Sequence, residues 1–536
     1  QVSPSQHYCC HNMQQEKRTV AAPPIEIIPQ FSVEEVLGQI GVGLYQYRLF
    51  LICGLACTAD SVEVSLLSFL SLCAQDDWQL TDEEASSITS VVFAGQLLGT
   101  LFWGPLADKY GRRKMSIACG VMITVAGFFS AFAPNLALLL LLRFFVGFGV
   151  GGFTIPFDLL AEFIPTKYRV RFLMGVAMFW SFGSMFVATM AWALLDEYGW
   201  RMLTAIVTLP VFVAVLLTVY LPESPRWLLS KHRHTEAAEI LKKAAIFNQA
   251  SLNGEFRLIH KDLEIHEGLF TCREILVPAF RNMTLALWAV WFSFGFTYYG
   301  AILLVVKVFE KGETKSGGCS FDYEDIFMSA SAEIGGLFVA LVVIEKLGRR
   351  YSQLASYGTS GIMTILVGFL AYHNSAPALI SVAAAIMRMG VFVGSNATWI
   401  QTPELYPTEI RGTGHSAANA FARIGGALIP YWVYAPLNIL VISSVIGLFN
   451  LLAGFSALLL KETANVALDD EDEITEETSL KDRSRSNSLQ ITEDARASAS
   501  FQERKTERKN GNGGNQPSSV EELQTSISVS KQTALV

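Results

Sequence analysis

Long apolar runs alternate with short polar segments through most of this chain. A helix that crosses the hydrocarbon of a bilayer needs about 20 predominantly apolar residues, and about twelve such runs lie between Tyr47 and Leu460. The pattern therefore predicts an all-α membrane protein with twelve transmembrane helices. The predicted spans are 47–72, 86–107, 115–133, 136–158, 171–195, 201–221, 282–306, 324–344, 351–372, 376–401, 412–436 and 438–460.

The composition agrees with a bilayer as the surrounding solvent. Of 536 residues 51% are hydrophobic and 16% are charged, too few charges to cover the surface of a soluble chain of this length. The net charge of −8 reflects acidic residues gathered in the C-terminal tail, and nothing indicates binding to nucleic acid. The sequence has no nucleotide-binding loop, nucleophile elbow or metal-ligand spacing, so we predict no enzyme activity, no cofactor and no metal. A channel is disfavoured because no filter-like loop is present.

Lysine and arginine accumulate in alternate short loops between the predicted spans. By the positive-inside rule these loops face the cytoplasm, and with an even number of spans both termini do so too. The basic residues are Lys109, Arg112, Arg113, Lys114, Lys167, Arg169, Arg171, Lys346, Arg349, Arg350 and Arg411.

A polar stretch after the sixth span divides the chain into two halves. We predict a mostly disordered cytoplasmic leader over 1–46, a six-helix bundle over 47–221, a cytoplasmic linker over 222–281 and a second six-helix bundle over 282–461. Within the linker, 236–246 has the pattern of a short amphipathic helix. The acidic, Ser-rich tail over 462–536 is predicted to be disordered. Its Ser488 fits a basophilic-kinase site, either a regulatory site or a chance match, and the tail is a candidate contact for a kinase or adaptor.

The two halves repeat their polar motifs in the same order. The segment 107–113 parallels 344–350, Arg143 before its glycines parallels Arg388, and 162–165 parallels 404–407. Matched features at an offset of about 240 residues indicate a parallel repeat, which places a solute path between the halves near the middle of the membrane.

These motifs resemble those of the major facilitator superfamily. The run 104–114 (GPLADKYGRRK) is similar to its signature loop, and 222–227 (PESPRW) to the motif that follows the sixth helix in sugar and organic-ion transporters. The segments 59–64 (ADSVEV), 190–200 and 291–300 are similar to the synaptic-vesicle-two-related group, which itself resembles organic-cation carriers. The resemblance covers about 31–462 and implies the two-bundle major facilitator fold.

The resemblance also implies a cytoplasmic gate, an inner latch of charged residues in each half. Asp108 is in addition a candidate to face a helix N-terminus, where the helix dipole favours an anion. The alternative is that these charges only set topology. The predicted latch residues are Asp108, Arg112, Glu162, Arg169, Glu223 and Arg226 in the first half, and Glu345, Arg349, Glu404, Arg411 and Glu462 in the second.

Charges inside the spans are the sharper functional signal. Even on a lenient scale a charged residue at helix centre costs about 2.5–3.5 kcal/mol, so each should face a cavity or a partner. Asp60 and Glu63 share one face of the first helix, and one of them is expected to hold a proton or a cation. The alternative for this pair is a static ion pair with Arg143 or another base. Glu333 is a further candidate, and Arg143, Arg388 and Arg423 either neutralise these acids, the favoured role, or bind an anionic solute.

Aromatic residues concentrate on the seventh helix. Trp291, Tyr298 and Tyr299, together with Trp399 of the tenth helix, are predicted to line the cavity, where ring faces hold a cation or stack on a planar solute. They fit equally well as lipid-facing or interfacial anchors. Among eight scattered cysteines, Cys73 and Cys319 fall in outward loops, and both a bridge and free thiols stay open.

The sequence therefore favours a gradient-driven secondary transporter of a small organic solute, with an organic ion preferred and proton coupling open. The alternatives are a sugar carrier and a non-transporting binding or trafficking protein on the same fold. The predicted location is the plasma membrane or a vesicle membrane.

Overall fold

The computed structural model describes residues 30–250, 252, 257–258, 275–313, 319–406 and 410–464, without the side chains of 30, 170, 257, 312, 313, 411 and 412. The predictions for residues 1–29, for the tail beyond 464 with Ser488, and for the side chain of Arg411 lie outside this part of the chain.

The leader contributes ordered structure that the sequence analysis did not predict. Strand β1 (Gln30–Phe31) precedes helix α1 (Val33–Ile40), which opens with a capping box between Ser32 and Glu35 and buries Val36 and Leu37. An amphipathic helix of this kind is held by its docked apolar face, which a disorder reading based on composition misses.

The first half consists of six membrane-crossing segments. α7 contains two of them, because Gly199 adopts a φ of 71° and breaks the helix between its two apolar runs. The elements are α2 (Leu44–Trp78), α3 (Asp82–Tyr110), α4 (Arg112–Ser130), α5 (Leu136–Val150), α6 (Thr154–Ala161), which continues the crossing of α5, and α7 (Thr166–Thr218).

The linker carries α8 (Pro225–Ser230), α9 (His234–Phe247) and strand β2 (Arg257–Leu258), which pairs in parallel with β1. α9 coincides with the amphipathic helix predicted over 236–246.

The second half repeats the arrangement, and α11 again holds two spans, separated at Gly348 with a φ of 79°. Its elements are α10 (Pro278–Val308), the antiparallel strands β3 (Glu310–Glu313) and β4 (Cys319–Phe321), α11 (Tyr323–Tyr372), α12 (Pro377–Glu404), α13 (Arg411–Val433) and α14 (Ile439–Ala457).

Eight helical stretches of the described chain are long and apolar enough to cross a membrane. Two of them, α7 and α11, each hold two spans, and the less apolar α4 and α13 complete the twelve predicted crossings. The fold class is therefore confirmed, with each predicted span falling on its own helical segment.

Glycines set the closest helix contacts in both halves. A Cβ on Gly147 of α5 would lie 2.0 Å from the Val92 carbonyl oxygen of α3, and one on Gly295 of α10 would lie 2.1 Å from the Ala422 carbonyl oxygen of α13. Only glycine permits this approach, the usual way in which helices pack in lipid.

Candidate functional site

Six charged side chains are buried in the membrane-crossing part of the described structure. They are three acids and three arginines, and each acid contacts an arginine. The six are Asp60, Glu63, Arg143, Glu333, Arg388 and Arg423.

Asp60 forms the ion pair that joins the two halves. Its carboxylate lies 3.3 Å from Nη2 of Arg423 on α13 and accepts a 3.2 Å hydrogen bond from the Gln96 amide on α3. Arg423 also donates to the Gln96 carbonyl oxygen at 2.6 Å and to the Tyr299 hydroxyl at 2.7 Å. Asp60 and Gln96 belong to the first half and Tyr299 and Arg423 to the second, so this cluster bridges the interface between the halves. Gln96 was not among the predicted site residues, although an amide side chain within an apolar span is a signal for a buried polar contact.

Glu63 forms a second pair that stays inside the first half. Nη1 of Arg143, on α5, donates to both Glu63 oxygens at 2.8 and 3.0 Å, and the Arg143 side chain is completely buried. Asp60 and Glu63 therefore face separate arginines. This arrangement corresponds to the alternative of a static ion pair that the sequence left open, and whether one of the two acids also holds a proton or a cation stays a prediction.

Glu333 forms the third pair, inside the second half. Nη2 of Arg388 on α12 donates to it at 2.6 Å, and the Tyr298 hydroxyl donates to the same oxygen at 3.2 Å. Ser181 of the first half reaches the other oxygen at 3.4 Å. Glu333 is thus paired within its own half, and among the described residues Ser181 supplies its hydrogen bond from the opposite half, a long one.

The predicted cavity aromatics form two groups. Trp291 packs edge-on against Trp399 with ring centroids 4.9 Å apart and donates from its indole nitrogen to Thr402 at 2.9 Å. His415 of α13 packs against both tryptophans. The second group is Tyr298 and Tyr299, with Trp180 of the first half 5.7 Å from the Tyr298 ring. Trp291, Tyr298 and Tyr299 on α10 are buried in protein and do not act as lipid-facing anchors, whereas Trp399 on α12 is half-buried.

The halves are joined on the side opposite the basic loops. Cys73 at the end of α2 and Cys319 of β4 form a disulfide with Cα atoms 5.4 Å apart, which settles the alternative that the sequence left open. Tyr323 donates to Asp196 across the halves at 2.6 Å. Ser90 on α3 adds a 2.8 Å bond to a backbone carbonyl of α13. These contacts close the path between the halves at this end.

On the side of the basic loops, charges pair within each half. In the first half Arg112 lies 3.1 Å from Glu162, 3.7 Å from Asp108 and 3.9 Å from Asp158. Glu223 accepts the backbone N–H groups of residues 112 and 113 at 2.8 and 3.1 Å. Glu223, not Asp108, therefore occupies the N-terminus of α4. Asp108 lies in the last turn of α3, contacts Arg112 and exposes most of its side chain, and its placement at another helix N-terminus stays a prediction.

The second half repeats this geometry. Glu462 accepts the backbone N–H groups of residues 349 and 350 at 2.8 and 3.1 Å, and Arg349 pairs with Glu404 at 3.1 Å. Thr463 binds Glu404 as well. Glu345, the counterpart of Asp108, is exposed and forms none of the ion pairs of the described residues.

Glu34 of α1 is a latch residue that sequence reasoning missed. It pairs with Arg169 at 2.9 Å and with Arg226 at 2.8 Å, and it accepts hydrogen bonds from the backbone and hydroxyl of Thr166. Partial burial would raise the Glu34 pKa, but the Thr166 hydrogen bonds and the Arg169 charge outweigh it, so the pKa lies below its ordinary value. The two arginines were predicted; the acid that joins them was hidden in the presumed disordered leader.

At this end the halves meet through apolar side chains. Met174 of α7 packs in one cluster with Ala340, Ile344 and Val393, and Phe157 contacts Trp399. Among the described residues, no ion pair crosses between the halves here. Separating the halves at this end therefore breaks no ion pair between described residues, whereas separation on the opposite side is opposed by the disulfide and cross-half hydrogen bonds.

Comparison with known proteins gives consistent results. The family model described as "Sugar (and other) transporter" matches residues 53–474. The chain is 32% identical to the organic cation/carnitine transporter 7 of Arabidopsis thaliana, over 75% of this chain and 87% of that protein. It is 32% identical to the bovine (Bos taurus) synaptic vesicle 2-related protein, over 75% of each chain.

Among solved structures, the inward-open xylose transporter XylE from E. coli superposes with a TM-score of 0.63 at 16% identity, covering 80% of this chain and 99% of that one. At this identity the likeness shows the fold.

Proposed function

Because the chain belongs to the sugar and other transporter family of the major facilitator superfamily, we propose that its solute path runs between the halves past the cluster of Asp60, Gln96, Tyr299 and Arg423. The protein is a multi-pass membrane protein and a gradient-driven secondary transporter, not an enzyme. Such a transporter exposes one central site alternately to the two sides of the membrane.

The Asp60–Arg423 ion pair carries this proposal. It lies at mid-helix, buried, and joins opposite halves, so the halves cannot part around it without breaking it. A buried charge that loses its partner is costly, which means that a solute or a proton must take over the contact. The charged cavity favours an organic ion over a neutral sugar as the solute. Glu63 and Glu333 with their arginines hold the surrounding walls, and Trp291, Tyr298, Tyr299 and Trp399 supply ring faces to the solute.

The latch residues are proposed to stiffen each half as it rocks. Glu223 and Glu462 tie the end of each half to the start of a helix in the same half, and the ion pairs around Arg112 and Arg349 do not cross the interface. Each half then moves as one body, with the apolar contact around Met174 opening and closing.

The proposals for the orientation of the protein in the membrane and for its regulation are supported by sequence patterns. The basic loops support a cytoplasmic latch side and cytoplasmic termini. The name of the synaptic vesicle 2-related relatives supports a vesicle membrane, with the plasma membrane as the other candidate. Recognition of Ser488 by a kinase or adaptor is supported by its local sequence alone.

The test is solute-induced thermal stabilisation of the purified protein at two pH values, across organic cations, organic anions, zwitterions and sugars. The proposal predicts a stabilising solute whose effect is lost in Asp60→Asn. A solute that stabilises wild type and Asp60→Asn equally would place the path elsewhere.

A further inference from the structure

Each half holds three buried charged side chains, but the two halves differ in the sign of their net buried charge. The first half holds Asp60, Glu63 and Arg143, and the second holds Glu333, Arg388 and Arg423. Glu63 with Arg143 and Glu333 with Arg388 neutralise each other inside their own halves. The first half is left with one uncompensated negative charge and the second with one uncompensated positive charge.

Those two leftover charges are Asp60 and Arg423, which now compensate each other across the interface. When the halves separate around a solute, one wall of the cavity presents a carboxylate and the opposite wall a guanidinium. An arginine keeps its charge in a protein, so the positive wall is neutralised only by an anionic group. The negative wall requires a cationic group or a proton.

From this charge division we infer that the transported solute is a zwitterion, a small molecule with an ammonium group for Asp60 and a carboxylate or similar anion for Arg423. This inference rests on the proposed solute path. A solute of this kind restores both ion pairs at once, whereas a neutral sugar restores neither and a single ion leaves one wall charge unpaired.

Aromatic faces beside the pair suit the cationic end. The rings of Phe93 and Tyr299 lie with centroids 4.5 Å apart, and the Tyr299 hydroxyl accepts a hydrogen bond from Arg423. One ring comes from each half, as do the two charges. A substituted ammonium group at Asp60 would rest against such rings by cation–π attraction.

The Gln96 amide fits a site for both charges. Its N–H donates to Asp60 and its carbonyl oxygen accepts from Arg423. After separation the same amide offers a donor to a solute carboxylate and an acceptor to a solute ammonium group.

The test compares three probes of matched chain length on the full-length protein in proteoliposomes: trimethylammonio-butyrate, butyrate and butyltrimethylammonium, with xylose as a neutral probe. The series is repeated with shorter and longer chains. We expect wild type to bind the zwitterion at least about tenfold more tightly than either single ion or the sugar.

Two variants test the assignment of each end. In Asp60→Asn the zwitterion should lose its advantage over the carboxylate, and in Arg423→Gln it should lose its advantage over the ammonium ion. Arg423→Lys keeps the positive charge and should keep the preference. Arg201→Gln, which removes a half-exposed ion pair with Asp77 inside the first half, is the matched control and should keep it as well.

Three results would overturn the inference. The first is equal binding of single ions and zwitterions by wild type; the second is butyrate binding that rises to match the zwitterion as the pH falls, which would mean a proton on Asp60. The third is the absence of zwitterion binding by folded protein at every chain length. Uptake of another solute in any of these cases leaves the proposed transport function standing, and the absence of uptake for every solute contradicts both.

Discussion

Replacing Glu63 by glutamine should destabilise the first half strongly. Arg143 donates two hydrogen bonds to Glu63 from one nitrogen, and its Nε and Nη2 atoms have no hydrogen-bond partner in the described structure. The glutamine would keep one acceptor oxygen but remove the negative charge that pairs with this buried guanidinium.

Removing one member of a buried pair costs about 3–5 kcal/mol, and the retained acceptor places Glu63→Gln at the lower end, near 3 kcal/mol. A domain of about 150–250 residues loses roughly 2–4 °C of melting temperature per kcal/mol, so we expect a fall of roughly 6–12 °C. The assay is thermal unfolding of the purified protein in detergent.

The double variant Glu63→Gln with Arg143→Gln supplies the sharper comparison. It removes both charges and should recover most of the loss, because no buried charge is left unpaired. Arg201→Gln, which breaks a half-exposed pair, should change stability by no more than about 1 kcal/mol. A Glu63→Gln melting temperature within error of wild type, or a double variant less stable than both single variants, would refute the assignment of this pair.

Further predictions concern the two ends of the molecule. Glu223→Gln should lower stability by about 0.5–2 kcal/mol, measured by thermal unfolding, because it weakens the N-terminal cap on α4. Glu223→Asp has a shorter side chain but keeps the charge and should lose less stability. An equal loss in both variants would show that the charge of Glu223 does not contribute to the cap. Because the folded Glu34 pKa is lowered, its contribution is present above the unfolded pKa and lost as the pH falls through the folded value. Backbone hydrogen exchange in α1, which reports the release of this helix, should therefore become faster on acidification in wild type but not in Glu34→Gln. Replacing Cys73 and Cys319 by serine should cost about 2–4 kcal/mol and raise the exposure of the path on that side to water-soluble thiol reagents at engineered cysteines; unchanged exposure would show that the disulfide does not restrain the halves.

The positions of the spans were predictable because each is a local apolar run of sufficient length. The connections between spans were less predictable. At Gly199 and at Gly348, two spans form a nearly continuous helix whose direction changes at the single glycine. The short helix in the linker was predictable for the same reason, since its amphipathic repeat lies within one stretch of chain.

Pairing across the chain was harder to predict. The sequence identifies Asp60 and Arg423 as buried charges with partners, but these residues are 363 apart in sequence and come together only through the packing of the two halves, where α13 lies against α3. Likewise, the contact of Glu223 with the start of α4 could not be predicted without knowing how the chain returns after its sixth span. Glu34 was missed because a short docked helix leaves little trace in composition.

Uptake into sealed proteoliposomes under an imposed gradient tests the central claim most directly. The account predicts that wild type concentrates a solute inside the vesicles and that Asp60→Asn, folded to the same extent, does not. A solute that binds the wild-type protein but never crosses the membrane would contradict it.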